Sequence, residues 1–239
     1  MTKLDACDDL QRIDPGERSD NAGGTWPAKR RLASALRELI GEMCPTGVSE
    51  AEILRAAEWT ERCVERFAAA PRADDDPSHS GGPRISGMHD FLDRGPLTGL
   101  SNPIAPGLKA EADWDAKTAR GFLSFGNAYE GAPGTVHGGF VAAALDELLG
   151  MVASMSGTVA MTGEITVRYL QPTPINVPLR IEARFDRCAG RRVFTSAEIF
   201  AGPTRTAECT GLFIAVGGEK FEDLERANLH KKLADDPAR

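Results

Sequence analysis

The chain has 239 residues, 41% of them hydrophobic and 26% charged, with a formal net charge of −7. That length accommodates one good domain plus an appendage, or two small domains, and no apolar run approaches the ~20 residues of a membrane span, so no transmembrane segment is expected. The negative balance argues against a general nucleic-acid or anionic-membrane partner, while leaving room for a local basic patch that holds a phosphorylated ligand.

The first residues, Met1-Thr2-Lys3-Leu4-Asp5-Ala6-Cys7-Asp8-Asp9, lack the basic start and apolar core of a signal peptide, so export is not expected and the cytoplasm is the expected compartment. Five cysteines (Cys7, Cys44, Cys63, Cys188 and Cys209) are odd in number and scattered, with no CxxC and no adjoining histidine cluster. They read as reduced packing thiols rather than as a disulfide framework or a metal site, and no metal is expected.

In chain order, residues 1–28 carry few periodic apolar positions and read as a poorly ordered arm. A helix is expected from about Lys29 to Met43, with Leu32, Leu36, Leu39, Ile40 and Met43 on one stripe. Ser49 and Glu52 stand in capping-box spacing before a second helix that runs to about Ala70, with Ile53, Leu54, Ala57, Val64 and Phe67 at the helical period. The two are expected to pair as a hairpin within an N-terminal extension, residues 1–87, whose last part from Pro71 to Gly87 is a linker rich in chain breakers.

From Met88 to about residue 217 the texture is that of a second unit, and residues 218–239 form a charged tail. Thr118 to Gly126 is its first clear strand. Phe140 to Ala153 is apolar on nearly every face, which places a long helix in the core. Four β-type segments follow: Met161–Leu170, Leu179–Arg187, Arg192–Ala201 and Arg205–Val216, with short turns that imply antiparallel neighbours. About five antiparallel strands wrapping one long helix is an α+β pattern.

One residue breaks that helix's apolar character. Asp146 carries a carboxylate into it, and a buried ionised carboxylate is expensive unless it is paired or hydrogen-bonded. Nine residues earlier, His137-Gly138-Gly139 opens the helix, and a glycine-opened start presents free backbone N–H groups and the positive end of the helix dipole to developing negative charge. An amide-lined oxyanion site and a desolvated carboxylate are equipment for acyl transfer. A spacing of nine residues is about two and a half turns, so the helix start and the carboxylate face roughly opposite sides of the axis, and a two-fold dimer is needed to bring them together. The plainer readings are that Gly138-Gly139 permits close helix packing and that Asp146 is a structural carboxylate.

Taken together, Tyr129-Glu130-Gly131-Ala132-Pro133-Gly134-Thr135-Val136-His137-Gly138-Gly139, Asp146-Glu147 and Arg168-Tyr169-Leu170-Gln171-Pro172 resemble the hotdog-fold thioesterases of the phenylacetyl-CoA thioesterase-like (PaaI-like) group. Mammalian acyl-CoA thioesterases with an N-terminal extension are particularly similar. The resemblance covers roughly residues 90 to 217. It implies a hotdog fold, an antiparallel sheet wrapped around one central helix, and hydrolysis of acyl-CoA to free acid and CoA without a separate cofactor.

It further implies that the N–H of Gly138, helped by Gly139, holds the thioester carbonyl oxygen. Asp146 of the opposite protomer is implied as nucleophile or general base, His137 as a residue that orients the loop or contacts the thioester, and Thr162 as a hydroxyl that positions water or the carboxylate. The CoA phosphates call for a basic edge, for which Arg168, Arg191 and Arg192 are the candidates. Glu130-Gly131 departs from relatives that carry Asn or Gln in this loop. The implied partners are an acyl-CoA substrate and a second copy of the chain, as a homodimer or a dimer of dimers. A non-catalytic acyl-CoA sensor and a hotdog hydratase or dehydratase are the competing functions.

Overall fold

The computed structural model describes residues 26–70 and 93–216; the expected arm, linker and charged tail lie largely or wholly outside them. Six strands run in chain order as β1 (Lys109–Asp113), β2 (Thr118–Leu123), β3 (Ala160–Tyr169), β4 (Leu179–Ala189), β5 (Arg192–Ala201) and β6 (Thr204–Ala215). They form one fully antiparallel sheet of order β1-β2-β4-β5-β6-β3. The expected segments coincide with β2 to β6 to within a few residues. β1 is additional, a five-residue strand whose alternation is too short to stand out in the sequence.

Two earlier helices, α1 (Trp26–Met43) and α2 (Glu50–Ala68), precede the sheet, and α3 (Gly138–Ser154) lies across it. α3 carries the chain from β2 near one edge to β3 at the other. Its sheet-facing side buries Val141, Ala144, Leu145, Leu148, Leu149, Val152 and Ala153 against residues that include Leu108, Phe125, Ile181, Ile199 and Phe213. Burial of each large aliphatic side chain contributes roughly 1.5–3 kcal/mol, so this contact sets the position of the helix.

The expectation of a helix buried all round requires correction for the single protomer. At about 100° per residue, Asp146 stands on the flank of the buried stripe and is half-buried, and Phe140 on another side is 39% exposed. The sheet covers only one side of an apolar cylinder.

α2 has the expected capping box at Ser49 and Glu52 but buries no residue; Ile53, Leu54, Trp59, Val64 and Phe67 are exposed. The expected hairpin is therefore two helices present without a packed seam between them. α1 is instead tied to the sheet domain: Arg30 Nε pairs with the buried Asp93 at 2.9 Å, and Arg37 donates to the carbonyls of Leu100 and Asn102 at 3.2 and 2.8 Å. No helix among the described residues is long and apolar enough to cross a membrane.

Among the described residues β3 has a partner, β6, on one side only, so its other edge is unpaired there. A β-bulge at Gly163 shifts its register between Thr162 and Glu164. The extra residue resets the alternation, so that Ala160 and Thr162 before the bulge and Ile165, Val167 and Tyr169 after it all face α3.

Candidate active site

The loop ahead of α3 is built from its own polar groups. Gly134 takes a positive φ of 74°, and its N–H donates to Glu130 Oε1 at 2.5 Å. Glu130, the residue noted as a departure from those relatives with Asn or Gln in this loop, is thereby a loop-closing residue. Gly131 donates to Thr135 O at 2.8 Å and His137 N–H to Tyr129 O at 2.9 Å. A Cβ on Gly131 would stand 2.8 Å from His137 Cα, so the loop closes only around a glycine. Phe125, Tyr129 and Phe140 support it as edge-on and tilted ring contacts with centroids 4.9 to 6.3 Å apart.

His137 is the N-cap of α3. Its Nδ1 accepts the N–H of Gly139 at 3.1 Å, which places the proton of the neutral ring on Nε2. The His137 carbonyl accepts from Phe140 and, more weakly, from Val141, at 2.9 and 3.4 Å. Among the described residues the N–H of Gly138 has no acceptor. Gly139, expected as its helper, has its N–H engaged by the cap, so the open amide of the helix start is that of Gly138. This residue lines a cleft of about 480 Å³ together with Gly131, His137, Val141, Tyr169 and Gln171.

Asp146 is held elsewhere. Thr162 Oγ1 donates to its Oδ1 at 3.0 Å, joining α3 to the start of β3. Eight residues separate Gly138 from Asp146, about 12 Å along the axis, and Asp146 does not line the cleft. The carboxylate's charge reaches two neighbours. Burial pushes the Cys209 thiol up to about 11, with Asp146 adding to the effect and a hydrogen bond at the Thr166 backbone opposing it. Burial, and then the charge of Asp146, raise the carboxyl of Glu147 above the ordinary range.

The folded state therefore holds a proton on Glu147 more tightly than the unfolded chain does. The associated stability is fully present in acid, below the unfolded pKa, and is lost as pH rises through the raised folded value. Glu147→Gln, which cannot ionise, is expected to raise Tm over wild type at about pH 8 and to leave it unchanged near pH 4. Thermal melts at the two pH values check this.

The three arginines divide. Arg168 projects from the sheet face opposite α3 and pairs with Glu208 at 2.7 Å, away from the cleft. Arg191 donates to Ala215 O at 3.1 Å beside the Gly190 turn, and Arg192 is exposed. Arg192 and Met161 both register with Ile214 on β6, which puts this turn at the Thr162 and Asp146 end of the sheet, not the Gly138 end. Among the described residues no cluster of His, Cys, Asp or Glu has the arrangement of a metal site.

Tyr169 escaped the reading of the sequence as a site residue. Its hydroxyl donates to Gly138 O at 2.8 Å, and its ring lies 3.2 Å from where a Gly138 Cβ would be. The only sequence signal was its place in the run Arg168 to Pro172.

Residues 133–208 match the family model described as the Thioesterase superfamily. Acyl-coenzyme A thioesterase THEM4 of Bos taurus is 33% identical over 93 residues, 38% of this chain and 38% of its own length. Its Xenopus laevis counterpart is 36% identical over 87 residues, 36% of this chain and 39% of that one. The match thus spans less than two fifths of these curated relatives. A crystal structure described as a thioesterase superfamily protein superposes with a TM-score of 0.67 and 28% identity, covering 78% of this chain and 94% of the other. That coverage extends past the sheet domain into the N-terminal part. The family match over residues 133–208, together with six antiparallel strands packed on one central helix, gives this domain a hotdog fold similar to that of the thioesterase superfamily and, over 93 residues, to the acyl-CoA thioesterases.

Proposed function

We propose that the protein is an acyl-CoA thioesterase acting as a homodimer, each site combining the Gly138 amide of one protomer with Asp146 and Thr162 of the other. The observation that carries this reading is the split itself: the cleft holds an open helix-start amide and no carboxylate, while the carboxylate with its hydroxyl partner lies about 12 Å along the same helix. Two antiparallel copies of β3, pairing their free edges about Thr166 with Gly163 as the extra residue, set Thr162 of one protomer opposite Tyr169 of the other. Such pairing satisfies an edge that is otherwise a row of unpaired backbone groups, and it brings the amide and the carboxylate to a common cleft.

In this site the Gly138 N–H polarises the thioester carbonyl. Thr162 occupies Oδ1 of Asp146, leaving Oδ2 to take a proton from water as its oxygen attacks the carbonyl carbon. The oxyanion collapses, the C–S bond breaks and the CoA thiolate leaves, to be protonated to the thiol. A single well-placed oxyanion donor contributes about 2.7–4 kcal/mol, and a general base roughly 10²- to 10⁴-fold in rate. No separate cofactor takes part; CoA arrives on the substrate. Arg191 and Arg192 flank the Asp146 end and suit its phosphates, whereas Arg168 is already paired with Glu208.

Release of free thiol from straight-chain, branched and aromatic acyl-CoAs tests the reading, and turnover of at least one class is expected. Tight acyl-CoA binding without thiol release would establish a sensor instead, and hydration of an enoyl-CoA a hydratase.

A further inference from the structure

The start of α3 poses a mechanical difficulty. An oxyanion donor works by being fixed before charge develops, yet Gly138 and Gly139 are consecutive glycines at a helix terminus, where the chain has the least conformational restraint. The His137 carbonyl, which accepts from Phe140 N–H at 2.9 Å, restrains the unit that carries the Gly138 N–H, and the glycine–glycine unit that follows needs a restraint of its own. Peptide units are planar, so fixing both ends of the Gly138–Gly139 unit fixes the torsions that flank it.

Both ends are held. The unit's C=O accepts from the Tyr169 hydroxyl at 2.8 Å, and its N–H donates to His137 Nδ1 at 3.1 Å, both ordinary hydrogen-bond lengths. The Tyr169 ring, 3.2 Å from the position of a Gly138 Cβ, closes the remaining side. Tyr169 in turn is placed by the Gly163 bulge, which turns it and Thr162 to the same face of β3. One strand thus steadies the amide with one end and the carboxylate with the other.

We propose that Tyr169 is a positioning residue for thioester hydrolysis, its hydroxyl clamping the Gly138–Gly139 peptide against the His137 cap so that the Gly138 N–H stays aimed into the cleft. The proposal rests on the thioesterase reading above. In the geometry seen here the phenolic proton goes to the Gly138 carbonyl and not toward the cleft, so the residue acts through Gly138.

The test is Tyr169→Phe in the full chain, compared with wild type on an acyl-CoA that wild type turns over. Tyr169 is 55% exposed, so losing its hydroxyl leaves the core untouched, and unchanged circular dichroism and Tm confirm that the variant is folded. Loss of one hydrogen bond is expected to lower kcat about tenfold with KM unchanged. Amide hydrogen exchange supplies a readout independent of activity: Gly138, Gly139 and Phe140 exchange faster in the variant, while β4 and β5 amides keep their wild-type rates. An unchanged kcat in Tyr169→Phe, a rise in KM alone, or unchanged exchange at the helix start overturns the inference while leaving the thioesterase reading standing. Absence of thiol release by wild type, in contrast, overturns that reading and the catalytic role of Tyr169 with it.

Discussion

Asp146→Asn is expected to lower kcat for thiol release by about 10²- to 10⁴-fold, with KM for acyl-CoA little changed. Asn is nearly the same shape, and its amide oxygen can still accept the Thr162 hydroxyl at the Oδ1 position, so the helix-to-strand contact survives and only the proton acceptor is lost. The same variant carries a second signature. Asp146 is the second cause, after burial, of the raised Cys209 thiol and the raised Glu147 carboxyl, so removing its charge lowers both. A thiol titration of Cys209 that moves down toward its ordinary range, alongside lost turnover, shows that the loss comes from charge removed at this spot and not from disorder. Undiminished turnover in Asp146→Asn sinks the assigned chemistry.

Gly138→Pro is expected to lower kcat by about 10²- to 10³-fold, because it deletes the N–H assigned to the oxyanion. Proline is tolerated at the first position of a helix, where its N–H has no intrahelical acceptor, and His137 at φ −58° and ψ 131° already has the extended backbone that a residue before proline requires. Any side chain at Gly138 presses on Tyr169, at 3.2 Å from Cζ and the hydroxyl. Gly138→Ala introduces that contact and keeps the N–H, so the difference between the two variants isolates the amide. Equal loss in both assigns the effect to Tyr169 displaced by the new Cβ, leaving the amide without a measured role.

The sheet and its central helix were legible because period-two segments bounded by Pro/Gly turns and one long apolar stretch leave little choice of fold. The two halves of the proposed site stand out in the sequence as well, since a carboxylate in an apolar helix and a paired-glycine start are locally conspicuous. What could not be read was which β3 side chains face the helix. Alternation counted from Thr162 puts Arg168 on its face and Tyr169 on the other; the single extra residue at Gly163 reverses this. Arg168 then pairs with Glu208 on the far face, and Tyr169 meets Gly138. A bulge leaves no periodic trace in so short a strand, only a glycine, and a strand glycine serves equally at a tight bend or a close backbone approach. The N-terminal helices were legible as helices from capping and period, but what their apolar faces cover is a tertiary matter, and α2 leaves its face exposed in the protomer.

The proposed sharing of a site between protomers makes a prediction that no single substitution can make. Asp146→Asn and Gly138→Pro, each inactive alone, are co-expressed with different affinity tags and the doubly tagged heterodimer is purified. In that heterodimer one site receives both lesions and the other receives neither, so about half of wild-type activity per dimer is expected to return. A heterodimer as inactive as either parent would contradict the pairing of Gly138 from one protomer with Asp146 from the other.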